Sequence, residues 1–141
     1  DIFNDLTFPE GRLHEDLFVT YKIIDRIETC AISNQVMYYY FIRSDSITAN
    51  SSNKRNIIDQ IDAIEEMNDY FIRKGNRWYP NIIIETYWNL IRMMKNINEK
   101  MMYKKLNETF NTVLISNITV KNLLKYYLIK LKLWYRVIIW K

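Results

Sequence analysis

Four carboxylates in the middle of the chain have the spacing of one helical face. Asp59, Asp62, Glu66 and Asp69 follow one another at intervals of three or four residues, which brings them to neighbouring turns of a helix. The pKa values of two adjacent carboxylates can move apart, so that one acts as a general acid and the other as a general base. An acidic face that is solvated, or docked against a basic helix, has the same pattern and needs no special chemistry. We favour this simpler interpretation.

The residue types that most often carry nucleophilic or metal chemistry are scarce. The chain has one cysteine, Cys30, and one histidine, His14, and this pair forms neither a zinc site of the usual spacing nor a supported nucleophile and base. The two glycines, Gly11 and Gly75, cannot build a phosphate-binding loop. We therefore expect no enzyme activity, no metal and no cofactor. We expect Cys30 to be buried as a small apolar side chain and His14 to lie on the surface early in a helix.

The charges are divided unevenly along the chain. Residues 1–72 carry six Arg and Lys against thirteen Asp and Glu, a balance of −7, whereas residues 73–141 carry fourteen against three, a balance of +11. This division predicts a strong electric polarity, unless helices of the two halves pair in space.

Composition predicts a single all-α domain over residues 1–141. Two Gly and two Pro in 141 residues leave few turns, which is typical of helical rather than β proteins. We expect an up-and-down bundle of about four to five helices after an extended N-terminal arm, which Pro9 and Gly11 punctuate. The longest uncharged run has fourteen residues, whereas a transmembrane helix needs ~20 apolar residues. We therefore expect that this chain is not an integral membrane protein.

Apolar residues at helical spacing locate the first helices. The pattern from Leu13 to Arg43 has no breaker and predicts one long helix or two collinear ones. A polar connector follows, with Ser52 or Asn53 as the N-cap of a second helix that Gly75 ends.

The second and third helices have clear buried stripes. The predicted core residues are Ile57, Ile61, Ile64, Met67 and Phe71 in the second helix, and Ile84, Tyr87, Ile91 and Met94 in the third. Ser116 or Asn117 is the expected N-cap of a last helix. Three sequons, at Asn50, Asn107 and Asn117, permit glycosylation.

The last segment, LLKYYLIKLKLWYRVIIWK, combines fourteen apolar or aromatic residues with five basic ones and has no acid. On a helix, a cationic stripe of Lys121, Lys125, Lys132 and Arg136 falls within an arc of roughly 60°, and Leu123, Tyr127, Leu131, Trp134 and Ile138 take the opposite side. The alternation after Lys130 also suits an extended strand. We predict a helix through about Lys130 and leave residues 131–141 open between helix and strand.

Two interpretations of this segment are compatible with each other. It is a bundle-closing helix whose lysines face water, or a surface that binds anionic membranes through cations and interfacial aromatics. The candidate membrane-binding residues are Lys121, Lys125, Tyr126, Lys130, Lys132, Trp134, Tyr135, Arg136, Trp140 and Lys141. Nucleic acid is not an expected partner, because no binding motif is present and the first half of the chain is acidic.

Two segments carry a family resemblance. YYYFIRSDSITANSSNKRNIID resembles the abalone sperm acrosomal protein family in its passage from an aromatic-aliphatic helix ending in Arg, through a Ser/Thr turn, into a helix that starts with basic residues. YPNIIIETYWNLIRMMKNINEKMMYKKL is similar to the stretch of that family in which a Tyr-bearing helix runs into basic residues and then a further aromatic helix. This family includes lysin and a fusagenic paralogue. The similarity covers roughly residues 12–112, and only six basic residues precede Arg73, whereas lysin is basic along most of its length. The fusagenic branch is therefore the nearer resemblance.

The resemblance implies a non-enzymatic protein that is secreted, stored in the sperm acrosomal vesicle and released on exocytosis. It implies a function of binding and destabilising membranes to promote fusion of the sperm and egg plasma membranes. The partner would be the anionic surface of the egg plasma membrane, and the resemblance leaves room for an egg surface receptor. We expect a monomer.

Two rival resemblances lead elsewhere. ISNQVMYYYFIR followed by IIDQIDAIEEMNDYF is similar to the interferon-gamma group of helical cytokines, and the alternative function is therefore that of a secreted helical-bundle cytokine that binds a receptor. Orthopoxvirus Bcl-2-like proteins share the bias towards Ile, Asn and Tyr, but their groove motif is absent from this sequence.

Overall fold

The computed structural model describes residues 2–41, 53–75, 79–94, 99–113, 115 and 117–139, with the backbone alone at 134 and 137–139. These residues form one 3-10 helix and five α-helices, and none of them lies in a strand. In chain order the elements are the 3-10 helix Glu15–Phe18, α1 Thr20–Arg26, α2 Lys54–Lys74, α3 Tyr79–Met93, α4 Lys100–Asn111 and α5 Val120–Ile139. The predicted all-α bundle is confirmed.

Four long helices surround the core. Helix α2 packs against α3 and α4, and α5 packs against the same two helices from the other side. The predicted stripes of α2 and α3 are all buried in one apolar cluster, which α4 and α5 complete. The connections between these four helices are short, as is usual for neighbours in an up-and-down bundle, whereas a long non-helical stretch separates α1 from α2.

The ends of α2 follow the sequence signals. The side chain of Asn53 accepts a hydrogen bond from the Arg55 N–H, so Asn53 is the N-cap as predicted. Gly75 ends the helix in the left-handed conformation, with φ 64°, and its N–H bonds to the carbonyls of Phe71 and Ile72.

The predicted long helix from Leu13 to Arg43 is wrong over most of its length. Only the 3-10 helix and α1 form, and from Ile27, where the backbone turns extended, to residue 41 there is no helix. Residues 42 and 43 lie outside the described part. Most helical stability in a protein comes from packing of an apolar face. Within the described residues, every side chain from 28 to 41 is exposed, and Ile32, Met37 and Phe41 reach 93%, 78% and 83%.

Cys30 and His14 also differ from expectation. Cys30 is exposed rather than buried, because it lies in this unpacked segment. His14 precedes the 3-10 helix in the left-handed conformation, with φ 57°. It is partly buried against α2, where its Nε2 lies 2.7 Å from Oδ1 of Asn56.

The N-terminal arm is fastened to the acidic face of α2. Asp59, which is 4% exposed, accepts hydrogen bonds from the Leu13 N–H at 2.9 Å and from Nη1 of Arg12 at 2.7 Å. The same Arg12 atom reaches Oδ2 of Asp62 at 2.7 Å, and Lys105 of α4 also pairs with Asp62. Asp59 and Asp62 are thus paired with cations and Asp69 is exposed, in agreement with the simpler interpretation of the four carboxylates.

Replacing Asp59 with asparagine is expected to lower the free energy of unfolding by about 2 kcal/mol, because a buried hydrogen bond to a charged group is lost. Asp62→Asn removes an equal charge from a more exposed position, where ion pairs contribute roughly 0–1 kcal/mol. Urea unfolding at pH 7 compares the two variants. Equal losses would contradict the role given to Asp59.

The same carboxylate predicts a pH dependence. Burial raises the pKa of Asp59, but the Leu13 N–H and Arg12 outweigh it, so the pKa lies below its ordinary 3.8. The stabilisation is therefore complete above that ordinary pKa and is lost as the pH falls through the lower pKa of the folded state. In acid, the stabilities of wild type and Asp59→Asn should converge.

Candidate functional site

Polar contacts at the start of α3 set the rotation of α5 about its own axis. The side-chain amide of Asn122 donates to Oδ1 of Asn81 at 3.1 Å and to the Asn81 carbonyl at 3.3 Å. The Thr119 N–H also donates to Oδ1 of Asn81, at 3.0 Å. Since Asn122 is 5% exposed, these bonds turn one side of α5 towards the core.

Thr119, and not either residue expected, caps the start of α5. Its hydroxyl accepts a hydrogen bond from the Asn122 N–H at 3.3 Å. Asn117 lies in the preceding turn with φ 56°, and Ser116 lies outside the described residues.

The inward side of α5 continues from Asn122 at helical spacing. Tyr126, Ile129 and Leu133 are 7%, 0% and 0% exposed, and the Tyr126 ring packs on Phe110 of α4 at 5.0 Å between centroids. The sequence predicted that Tyr126 contacts membranes. This prediction is wrong, because Tyr126 is a buried core residue.

The opposite side of α5 is apolar and faces solvent. We call it the outward face; its members are Val120, Leu123, Leu124, Tyr127, Leu128, Leu131 and Tyr135, which are between 36% and 86% exposed. A continuous row of this kind is unusual on a soluble monomer and marks an interaction surface. Leu123, Tyr127 and Leu131, predicted to lie opposite the cationic stripe, belong to it.

The cationic stripe lies along the seam with α3 and α4. Lys125 has a side chain only 15% exposed and pairs with Glu85 of α3, which Lys121 also approaches at 3.7 Å. The hydrogen bond from Lys125 holds the pKa of Glu85 below its ordinary value. Farther along, the Arg136 guanidinium lies 5.6 Å from the centre of the Tyr103 ring. Part of the stripe therefore fastens α5 to the bundle.

Three other candidate residues of α5 have solvent-exposed side chains. Lys130, Lys132 and Tyr135 are exposed, and Lys130 lies 5.7 Å from the centre of the Tyr126 ring. Trp134 is in the helix, but its side chain is outside the description. Trp140 and Lys141 lie outside the described residues altogether.

Helix α5 extends beyond the sequence prediction. It continues through residues 131–139, so the alternative of an extended end is excluded for that stretch. This continuation carries Leu131 and Tyr135, which add about one turn to the described outward face.

Sequence reasoning missed Val120, Leu124 and Leu128 as surface residues. Periodicity alone does not identify them, because apolar residues occur all around this helix; once Asn122 is known to be a buried anchor, the inward residues follow it four, seven and eleven positions later. That spacing defines one face of a helix, and the missed residues lie outside it.

A second exposed apolar surface precedes α2. In the non-helical segment, Val36 to Phe41 are between 63% and 83% exposed and include three consecutive tyrosines. Backbone amides in such a segment are not engaged in a helix, so it is a poorer candidate for ordered recognition than α5.

Two other kinds of site are absent from the described part of the chain. There, no group of three or more His, Cys, Asp or Glu side chains could hold a metal ion. No helix in the same part has the length and apolar character required to cross a bilayer.

The fold and the outward face define a helical-bundle protein with an amphipathic, cationic closing helix. Comparison with protein families, curated proteins and solved structures finds no significant match to this chain.

Proposed function

We propose that this protein binds anionic membrane surfaces through the outward face of α5 and destabilises the bilayer. The observation that carries the proposal is the solvent-exposed row of large apolar side chains on a helix that has cations but no acid. Interfacial helices that lie in the headgroup region have this combination of an apolar side and basic residues.

The packing of α5 suits a helix that lies flat on a membrane. Its 20 residues span about 30 Å at 1.5 Å per residue. The inward residues hold the helix on the bundle, so the outward face can contact lipid without unfolding. Leu and Val side chains would enter the acyl boundary, while Tyr127 and Tyr135 would lie at headgroup level.

Lysines near the outward face supply the attraction to anionic lipid. Lys130 and Lys132 are exposed, and a basic residue close to a negatively charged membrane contributes about 1 kcal/mol. Lys125 is largely buried and pairs with Glu85, so it contributes chiefly to holding α5 in place.

The biological setting that we propose is sperm–egg membrane fusion. The resemblance to the acrosomal family supports secretion, storage in the acrosome and action at the egg plasma membrane, where an egg surface receptor could add specificity. The cytokine alternative is the weaker one, because a receptor-binding bundle has no need of an apolar row along its last helix.

Binding to anionic vesicles is expected to weaken by at least about tenfold as ionic strength rises from 0.05 to 0.5 M, because salt screens the lysines from the headgroups. Co-sedimentation with anionic and neutral vesicles measures binding, and dye dilution measures lipid mixing. The paired change Lys130→Gln with Lys132→Gln should reproduce the loss at low salt.

The matched control is Lys54→Gln with Lys104→Gln, two cations that are 61% and 68% exposed on α2 and α4. This control should bind like wild type. Absence of binding to anionic vesicles at low salt would overturn the proposed function, and equal binding to neutral and anionic vesicles would remove its electrostatic part.

A further inference from the structure

A groove of about 610 Å³ lies between α3 and α5, beside the outward face. Its walls include Trp88 and Ile91 from α3, and Leu128, Leu131 and Tyr135 from α5. This volume is within the range of pockets that hold one small molecule, roughly 300–1,000 Å³. The apolar walls select a ligand with a hydrocarbon part.

Two cations give the groove a charged side. Arg92 of α3 and Lys132 of α5 both line it and are both exposed, so positive charge lies where the groove meets solvent. Among the described residues, none that lines the groove is acidic. A ligand that complements this groove has an anionic group at one end and an apolar remainder.

The indole of Trp88 forms a wall whose position is fixed by its neighbours. It packs against the main core cluster, and Nζ of Lys125 lies 5.8 Å from the ring centre. Lys125 is in turn held by Glu85. Because the Trp88 side chain is already held in position, ligand binding does not have to order it, and the entropy cost of binding is smaller.

We infer that this groove binds a single fatty acid, with the acyl chain against Trp88 and Leu128 and the carboxylate at Arg92 and Lys132. A planar guanidinium pairs with a carboxylate through two parallel hydrogen bonds, which makes Arg92 the main determinant of headgroup binding. The inference goes beyond membrane association, since it concerns a monomeric ligand in a pocket of the free protein.

The test uses dodecanoate below its micellar concentration, without vesicles, and dodecanol as the uncharged analogue. Calorimetric titration should show saturable binding of one dodecanoate per chain, and dodecanol should bind at least tenfold more weakly. Arg92→Gln should weaken dodecanoate about tenfold. Lys104→Gln, which removes a cation from an exposed position of α4, should leave the affinity unchanged.

A brominated dodecanoate locates the ligand, because bromine quenches a neighbouring indole. Quenching in wild type should fall when Trp88 is replaced by phenylalanine, with both proteins measured at brominated dodecanoate concentrations that saturate them. Non-saturable binding, equal affinity for dodecanol, or quenching that Trp88→Phe leaves intact would each overturn the inference. Dodecanoate binding in a protein that fails to bind vesicles would instead count against the proposed function alone.

Discussion

Replacing Leu133 with alanine is expected to lower the free energy of unfolding by about 2–5 kcal/mol, the usual cost of emptying a buried leucine site. Leu133 is fully buried on the inward side of α5. The matched variant, Leu131→Ala, changes the same residue type two positions earlier, where the side chain is 64% exposed. That change should cost less than about 0.5 kcal/mol.

Thermal and urea unfolding, followed by circular dichroism, measure this pair. The large difference between the two leucines is a direct consequence of the observed rotation of α5. Equal destabilisation by both alanines would mean that α5 packs with a different side towards the core, and the outward face would then lose its basis.

Removing two leucines from the outward face is expected to weaken vesicle binding about 30-fold. Leu124 and Leu131 are 63% and 64% exposed, and partial burial of each in the acyl boundary contributes about 1 kcal/mol, roughly half the value for complete burial. The double variant Leu124→Ser with Leu131→Ser should therefore lose binding and lipid mixing while its thermal unfolding remains close to that of wild type.

The control for this variant removes two other exposed apolar side chains, through Ile24→Ser and Met101→Ser. These residues are 62% and 80% exposed on α1 and α4. Wild-type vesicle binding is expected for the control. A comparable loss in both double variants would show that general surface hydrophobicity, rather than the outward face, drives association.

Much of the bundle could be predicted from sequence because its signals are local. The stripe of α2 repeats at helical spacing, polar residues occupy its other sides, and Asn53 and Gly75 terminate it through bonds within its own turns. The sequence of such a segment is enough to predict both that it forms a helix and which side of the helix faces the core. The buried stripe of α3 was predictable for the same reason.

The structure of the segment after α1 could not be predicted from its helical periodicity, because helix formation also depends on a surface against which the apolar face can pack. Residues 27–41 are rich in apolar side chains, yet the described structure gives this stretch nothing to pack on. Several of these residues are β-branched or aromatic and lose side-chain freedom in a helix. Without tertiary burial to offset that cost, periodicity alone does not produce a helix.

The candidate site was also predictable only in part: its composition is a property of the local sequence, and its orientation depends on tertiary contacts. The sequence alone determined that the last segment is apolar, cationic and free of acids, and hence that it is suited to an anionic surface. Apolar residues occur all around this helix, however, so periodicity could not select the side that is buried. The tertiary structure decided it through Asn122 bonding to Asn81 and Lys125 pairing with Glu85, contacts between residues about 40 positions apart. A buried side-chain amide needs acceptors for its N–H groups, and because those of Asn122 lie on α3, the leucines of the opposite side of α5 remain exposed.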